Sequence, residues 1–133
     1  SHKNPNQEQN LNSIQTLLSN LKSETLKKLA IPDIDGMTFI DVNDLIRCQS
    51  DRSYTSFYLS DGKKIISAKN LREYEVLLTE YKFFRIHHSH LINLKHIKKY
   101  MKGEGGYVIM SDDSKVEVSK RRKKEFMDIL RGL

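Results

Sequence analysis

The chain has no tryptophan and a single cysteine among its 133 residues. A lone cysteine closes no internal disulfide, which points to a reducing compartment and a cytoplasmic protein. Cys48 lies between Arg47 and Gln49 in a strand-like stretch and reads as a small core hydrophobe. Without tryptophan, the core must rest on aliphatic residues plus five Phe and six Tyr. No run approaches the roughly 20 apolar residues that span a bilayer. No signal peptide is visible, so no membrane partner is expected. Also missing are CxxC, HExxH, the P-loop, GxGxxG and GxSxG, and with them the usual metal, nucleotide and acyl-transfer chemistries. The sequence predicts no enzyme and no cofactor. The chain starts without Met; Ser1 and His2 read as a cloning remnant, and the rest as a piece of a longer protein.

What is present is charge. Charged residues make up 30% and hydrophobic residues 38%, enough for one modest core. Twenty-three Lys and Arg against 17 Asp and Glu leave a net charge of +6. That balance attracts polyanions: nucleic acid, anionic lipid or an acidic protein.

The hydrophobic pattern changes near Pro32. Before it, Asn4, Pro5 and Gln7 form a plausible helix start, and Leu11, Ile14, Leu18 and Leu21 recur with helical spacing. Residues 1–30 are therefore expected to form an N-terminal linker helix, with a β-rich domain over 31–133. In that domain "MTFIDV" and "LIRCQS" read as strands. "YTSFYLSDGKKIISA" reads as a hairpin turning at Asp61-Gly62. "NLREYEVLL" reads as a short helix capped by Asn70, with Leu71, Tyr74, Leu77 and Leu78 on its apolar face. "KFFRIHH" reads as a strand, and a second hairpin turns at Ser111–Ser114. A C-terminal helix follows Ser119, with Phe126, Ile129 and Leu130 facing inward. The fold class is mainly β (β-rich α+β), without the βαβ alternation of a parallel sheet.

Three clusters carry candidate chemistry. His87, His88, His90 and His96 suggest metal, but strand alternation is expected to point His87 away from His88 and His90. Lys120, Arg121, Arg122, Lys123 and Lys124 place five positive charges at a helix N-terminus, the wrong end for the dipole. An anionic partner relieves that arrangement. The tip "SDRSYT" offers Arg52 for phosphate or the guanine edge, and hydroxyls from Ser53, Tyr54 and Thr55.

With these segments in view, "FFRIHHSHLINLKHI" resembles the hallmark segment of LytTR DNA-binding domains. "DLIRCQSDRSYTSFYLSDGKKIISAKNLREYEVLL" resembles the family's strand, tip loop, hairpin and helix, and "KVEVSKRRKKEFMDIL" its last strand and basic helix start. The resemblance covers roughly residues 31–130. It implies an elongated set of small antiparallel sheets with short helices, whose loops enter the DNA major groove. It implies the effector domain of a bacterial response regulator in a two-component phosphorelay, behind an upstream receiver and binding promoter DNA, with a homodimer on DNA as one arrangement. Carried over by position, the DNA contacts fall on Arg52, Ser53, Tyr54 and Thr55, on His88 and Ser89, and on Ser119, Lys120 and Arg121; Lys124 of the basic run joins them. At His88 the family more often has Arg, Lys or Asn, and imidazole lacks the fork of Arg or the amide pair of Asn. The alternatives are an RNA- or protein-interaction module using the basic helix, and a histidine-rich metalloenzyme.

Overall fold

The computed structural model describes residues 27–132. Most of the expected N-terminal helix lies outside them. Its last residues do not: Lys28, Leu29 and Ala30 open strand β1 (Lys28–Asp33), so the sheet begins before the expected boundary at 31. β1 pairs with β2 (Gly36–Asp41), Lys28 opposite Asp41 and Pro32 opposite Met37. Pro32 biases Ile31 toward extended backbone. Leu29 and Ile31 then alternate into the core, so tertiary pairing overrides the helical spacing.

The centre is a five-stranded antiparallel sheet in the order β5-β4-β3-β7-β6. Its strands are β3 (Leu45–Asp51), β4 (Tyr54–Leu59), β5 (Lys64–Ser67), β6 (Phe83–His87) and β7 (His90–Asn93). A third sheet, β10-β9-β8, is built from β8 (Ile97–Met101), β9 (Tyr107–Met110) and β10 (Lys115–Glu117). With two short α-helices among the described residues, this is the small-sheet β-rich architecture expected.

Helix α1 (Leu71–Leu78) begins at Asn70 with a full capping box. The Glu73 amide donates to Asn70 Oδ1 at 3.1 Å, and the Asn70 amide donates back to Glu73 at 3.4 Å. Leu71, Tyr74 and Leu78 are buried, but Leu77 is 52% exposed: eight residues bury a narrow face, and Leu77 lies outside it. Tyr74 meets Phe57 edge-on at 4.7 Å, and its hydroxyl lies 2.6 Å from Ser67 Oγ. Helix α2 (Lys120–Gly132) covers the other side, where Phe126 stacks on Phe84 at 5.7 Å.

The large sheet therefore divides two cores. One holds Cys48, Phe57, Leu91 and α1; the other holds Ile46, Ile86, Val118 and Phe126. Cys48 is fully buried, and burial pushes its thiol well above the ordinary value, as suits an inert packing residue.

Candidate nucleic-acid interface

The tip joining β3 to β4 is a two-residue turn, Arg52-Ser53. Arg52 has φ 60, the left-handed region, and Ser53 and Tyr54 are exposed beside it. Thr55 is not part of this surface. It pairs with Ser50 inside the strand, is fully buried, and its hydroxyl donates to the Lys69 carbonyl at 2.8 Å. Strand alternation puts it on the inward face with Phe57, so the expectation of a Thr55 contact is corrected.

A second two-residue turn, His88-Ser89, joins β6 to β7. His87 and His90 are direct pairing partners across it. The chain reversal brings all three rings together, with His87 at 4.4 Å from His88 and 5.2 Å from His90. That corrects the expectation that alternation separates them, which holds along one strand and not across a turn. Among the described residues no group of three His, Cys, Asp or Glu is placed to hold a metal ion. The Ser89 amide donates to His87 Nδ1 at 3.1 Å, so His87 staples the turn. Burial, then the neighbouring His88, hold the His87 imidazole below its ordinary value. His90 is pushed down to about 4, chiefly by burial and then by His87, Arg47 and His88.

Arg85, grouped with this cluster in the sequence, has a role the sequence did not disclose. Its guanidinium donates to Glu75 at 2.8 Å, to the His87 carbonyl at 3.1 Å and to the His88 carbonyl. These acceptors, one on α1, one at the end of β6 and one in the turn itself, tie the turn to the helix. The available signal was an arginine in an otherwise apolar strand.

The third segment is the entry to α2. The Ser119 hydroxyl caps the helix, accepting the Arg122 amide at 3.2 Å. Lys120, Arg121 and Lys124 are exposed, and none of them, nor Arg52, has a carboxylate partner among the described residues. Arg122 is part-buried, 3.4 Å from Glu125.

Backbone hydrogen bonds set the three segments side by side. The Ser50 amide donates to the Ser89 carbonyl at 2.9 Å, tying tip to turn. The Ser119 amide donates to the Ile86 carbonyl at 3.0 Å, tying turn to helix entry. Arg85, His88, Ser119, Arg121 and Arg122 line an open depression of about 350 Å³ between the last two. Exposed cations and hydroxyls held along one edge by backbone bonds suit a polyanion.

Comparison with known proteins agrees. Residues 35–131 match the family model described as the LytTr DNA-binding domain. Two curated transcriptional regulators of Paraburkholderia xenovorans (strain LB400), haem-containing and CO-sensing, are similar over 108 residues: RcoM 2 at 28% identity and RcoM 1 at 25%. Each match covers 79% of this chain and 40% of the relative, so the chain spans less than half the length of either. A solved LytTr DNA-binding domain from Bacillus cereus, assigned to a methyl-accepting/DNA response regulator, superposes with a TM-score of 0.68 at 21% identity. That match covers 78% of this chain and 96% of the other, and shows the same fold. With its family match spanning both turns and the helix entry, the chain belongs to the LytTR family of DNA-binding domains.

Proposed function

We propose that the chain binds duplex DNA sequence-specifically, as the effector domain of a transcriptional response regulator in a two-component system. The observation that carries this is the single edge on which Arg52, His88 and Arg121 stand exposed, joined by the Ser50–Ser89 and Ser119–Ile86 backbone bonds. The two turns are narrow enough for the major groove, whose width is about 12 Å. Arg121 is the candidate for bidentate reading of guanine, and Lys120 and Lys124 for phosphate contacts. Two half-sites one turn apart, ~34 Å, fit two copies on one face of the duplex.

The curated relatives are named as haem-containing CO sensors, and neither property is carried to this chain. The receiver reading rests on the sequence resemblance to response-regulator effector domains. Among the described residues no helix is long and apolar enough to cross a membrane.

In vitro selection from a randomised duplex pool tests the proposal. Recovery of a defined motif supports it, as does affinity that falls with log salt with a slope near −5, for about six neutralised phosphates. No enriched sequence, or tighter retention of unrelated RNA in competition, overturns it. Acetyl phosphate added to the full-length gene product tests the regulatory half: affinity must change with phosphorylation.

A further inference from the structure

We infer a fourth DNA-contacting segment, the loop of residues 102–106 between β8 and β9, which grips the phosphate backbone beyond the helix entry through Lys102 and the glycine main chain. This inference rests on the proposed function. Its ground is the hydrogen-bond row that defines the interface. The Val118 amide donates to the Gly106 carbonyl at 3.2 Å, so the row does not end at Ser119. Glu117 pairs with Tyr107, and Tyr107 with Met101. The β8–β9 loop therefore sits at the same end of its sheet as the α2 entry. The opposite end of that sheet carries the acidic Asp112-Asp113 turn.

The order along the edge is tip, histidine turn, helix entry, glycine loop. The first two belong to the central sheet and the last two to the three-stranded sheet, and the Ser119–Ile86 bond joins the two sets.

The loop's chemistry suits a phosphate and not a base. Lys102 is exposed and has no ion pair among the described residues. Gly103, Gly105 and Gly106 all have positive φ. Gly106 is buried against Tyr100, whose hydroxyl a Cβ there would meet, so the main chain open to a phosphate is that of Gly103 and Gly105, both exposed. Where no Cβ projects, main-chain amides can come close to a surface. No other side chain of the loop reads bases; the one besides Lys102 is Glu104, exposed and negative. With Glu117 it is the acidic charge at this end, set against Lys102, Lys120 and Arg121.

The test uses this chain and a 30-bp duplex pool of mixed sequence, read by fluorescence anisotropy across a salt series. Lys102→Ala is expected to weaken binding about three- to tenfold and to reduce the salt slope by about one, with the motif selected from random DNA unchanged. Glu104→Gln is expected to tighten binding. Lys63→Ala makes the same charge change at the β4–β5 turn, the far end of the central sheet from the tip, and is expected to bind as the unaltered chain does. All three positions are exposed, and matched thermal melts confirm the fold. Equal effects of Lys102→Ala and Lys63→Ala overturn the loop contact while leaving duplex binding intact. Loss of a base preference in Lys102→Ala overturns the phosphate assignment. A chain that binds no duplex fails the proposed function itself.

Discussion

The Ser89 amide donates to Nδ1 of His87 across the two-residue turn that presents His88. The bond exists only while that nitrogen is unprotonated. His87→Leu is expected to loosen the turn and weaken DNA binding about fivefold, the worth of one hydrogen bond near 1 kcal/mol. His87→Asn, whose carbonyl can accept locally, is expected to recover most of it. Titration of both variants against a selected duplex decides; a Leu variant that binds normally would remove the staple.

Stability is expected to fall on acidification. His90 titrates near 6.5 unfolded and at about 4 folded. Between those values the unfolded chain binds more protons, so stability is fully present above 6.5 and lost as pH falls toward 4. The loss is up to about 3 kcal/mol at 1.36 kcal/mol per unit, and the lowered His87 value acts in the same direction. Urea unfolding at pH 7.5 and pH 5 measures it. His90→Gln, uncharged throughout, must flatten the dependence; an equally steep curve in that variant contradicts the assignment.

Arg121 and Lys124 stand one helical turn apart, yet their loss should read differently. Arg121→Ala is expected to cost about 1–3 kcal/mol and relax selection at one base pair, and Lys124→Ala to weaken all duplexes alike. Comparing the motifs selected by the two variants checks this. Uniform loss in Arg121→Ala would take the base contact away from it.

Arg85 is expected to matter for folding. Arg85→Lys keeps the charge but loses the fork that reaches Glu75 and the His87 and His88 carbonyls together, at about 2 kcal/mol in chemical denaturation. Glu75→Gln keeps an acceptor and should cost less. Equal destabilisation by the two would place the main contribution in the ion pair alone.

Arg52 is held at φ 60, where a non-glycine residue is disfavoured by about 1 kcal/mol. Arg52→Gly should leave stability unchanged or raise it while lowering DNA affinity. Thr55→Ala should do the reverse, since its buried hydroxyl is bonded to Lys69. Melting curves and anisotropy on both variants settle which residue serves the surface.

What was legible in the sequence was local. The Asp61-Gly62 turn, the Asn70 cap, the inward Leu71, Tyr74 and Leu78 and the inward Phe126 all emerge as the pattern implied. The corrections concern information held by distant partners. Lys28 to Ala30 become strand because residues 39–41 lie opposite them. Thr55 turns inward because its strand lies between two others. The histidines converge because a turn doubles the chain back, and Arg85 acquires its role from Glu75 on a helix ten residues earlier. No spacing rule encodes any of these contacts.

The sheet that divides the two cores also sets a distance. β4, which runs from the Arg52 tip, packs through Phe57 into one core, and α2 packs through Phe126 into the other. The separation between them is thus fixed by packed side chains remote from any nucleic acid. Such a domain is a stiff ruler laid along a flexible object. A duplex whose natural twist brings its groove edges to those marks would bind without distortion, and an over- or underwound one would bear an elastic cost. Discrimination of this kind would extend to base pairs that no side chain touches, and its calibration would lie in the hydrophobic interior.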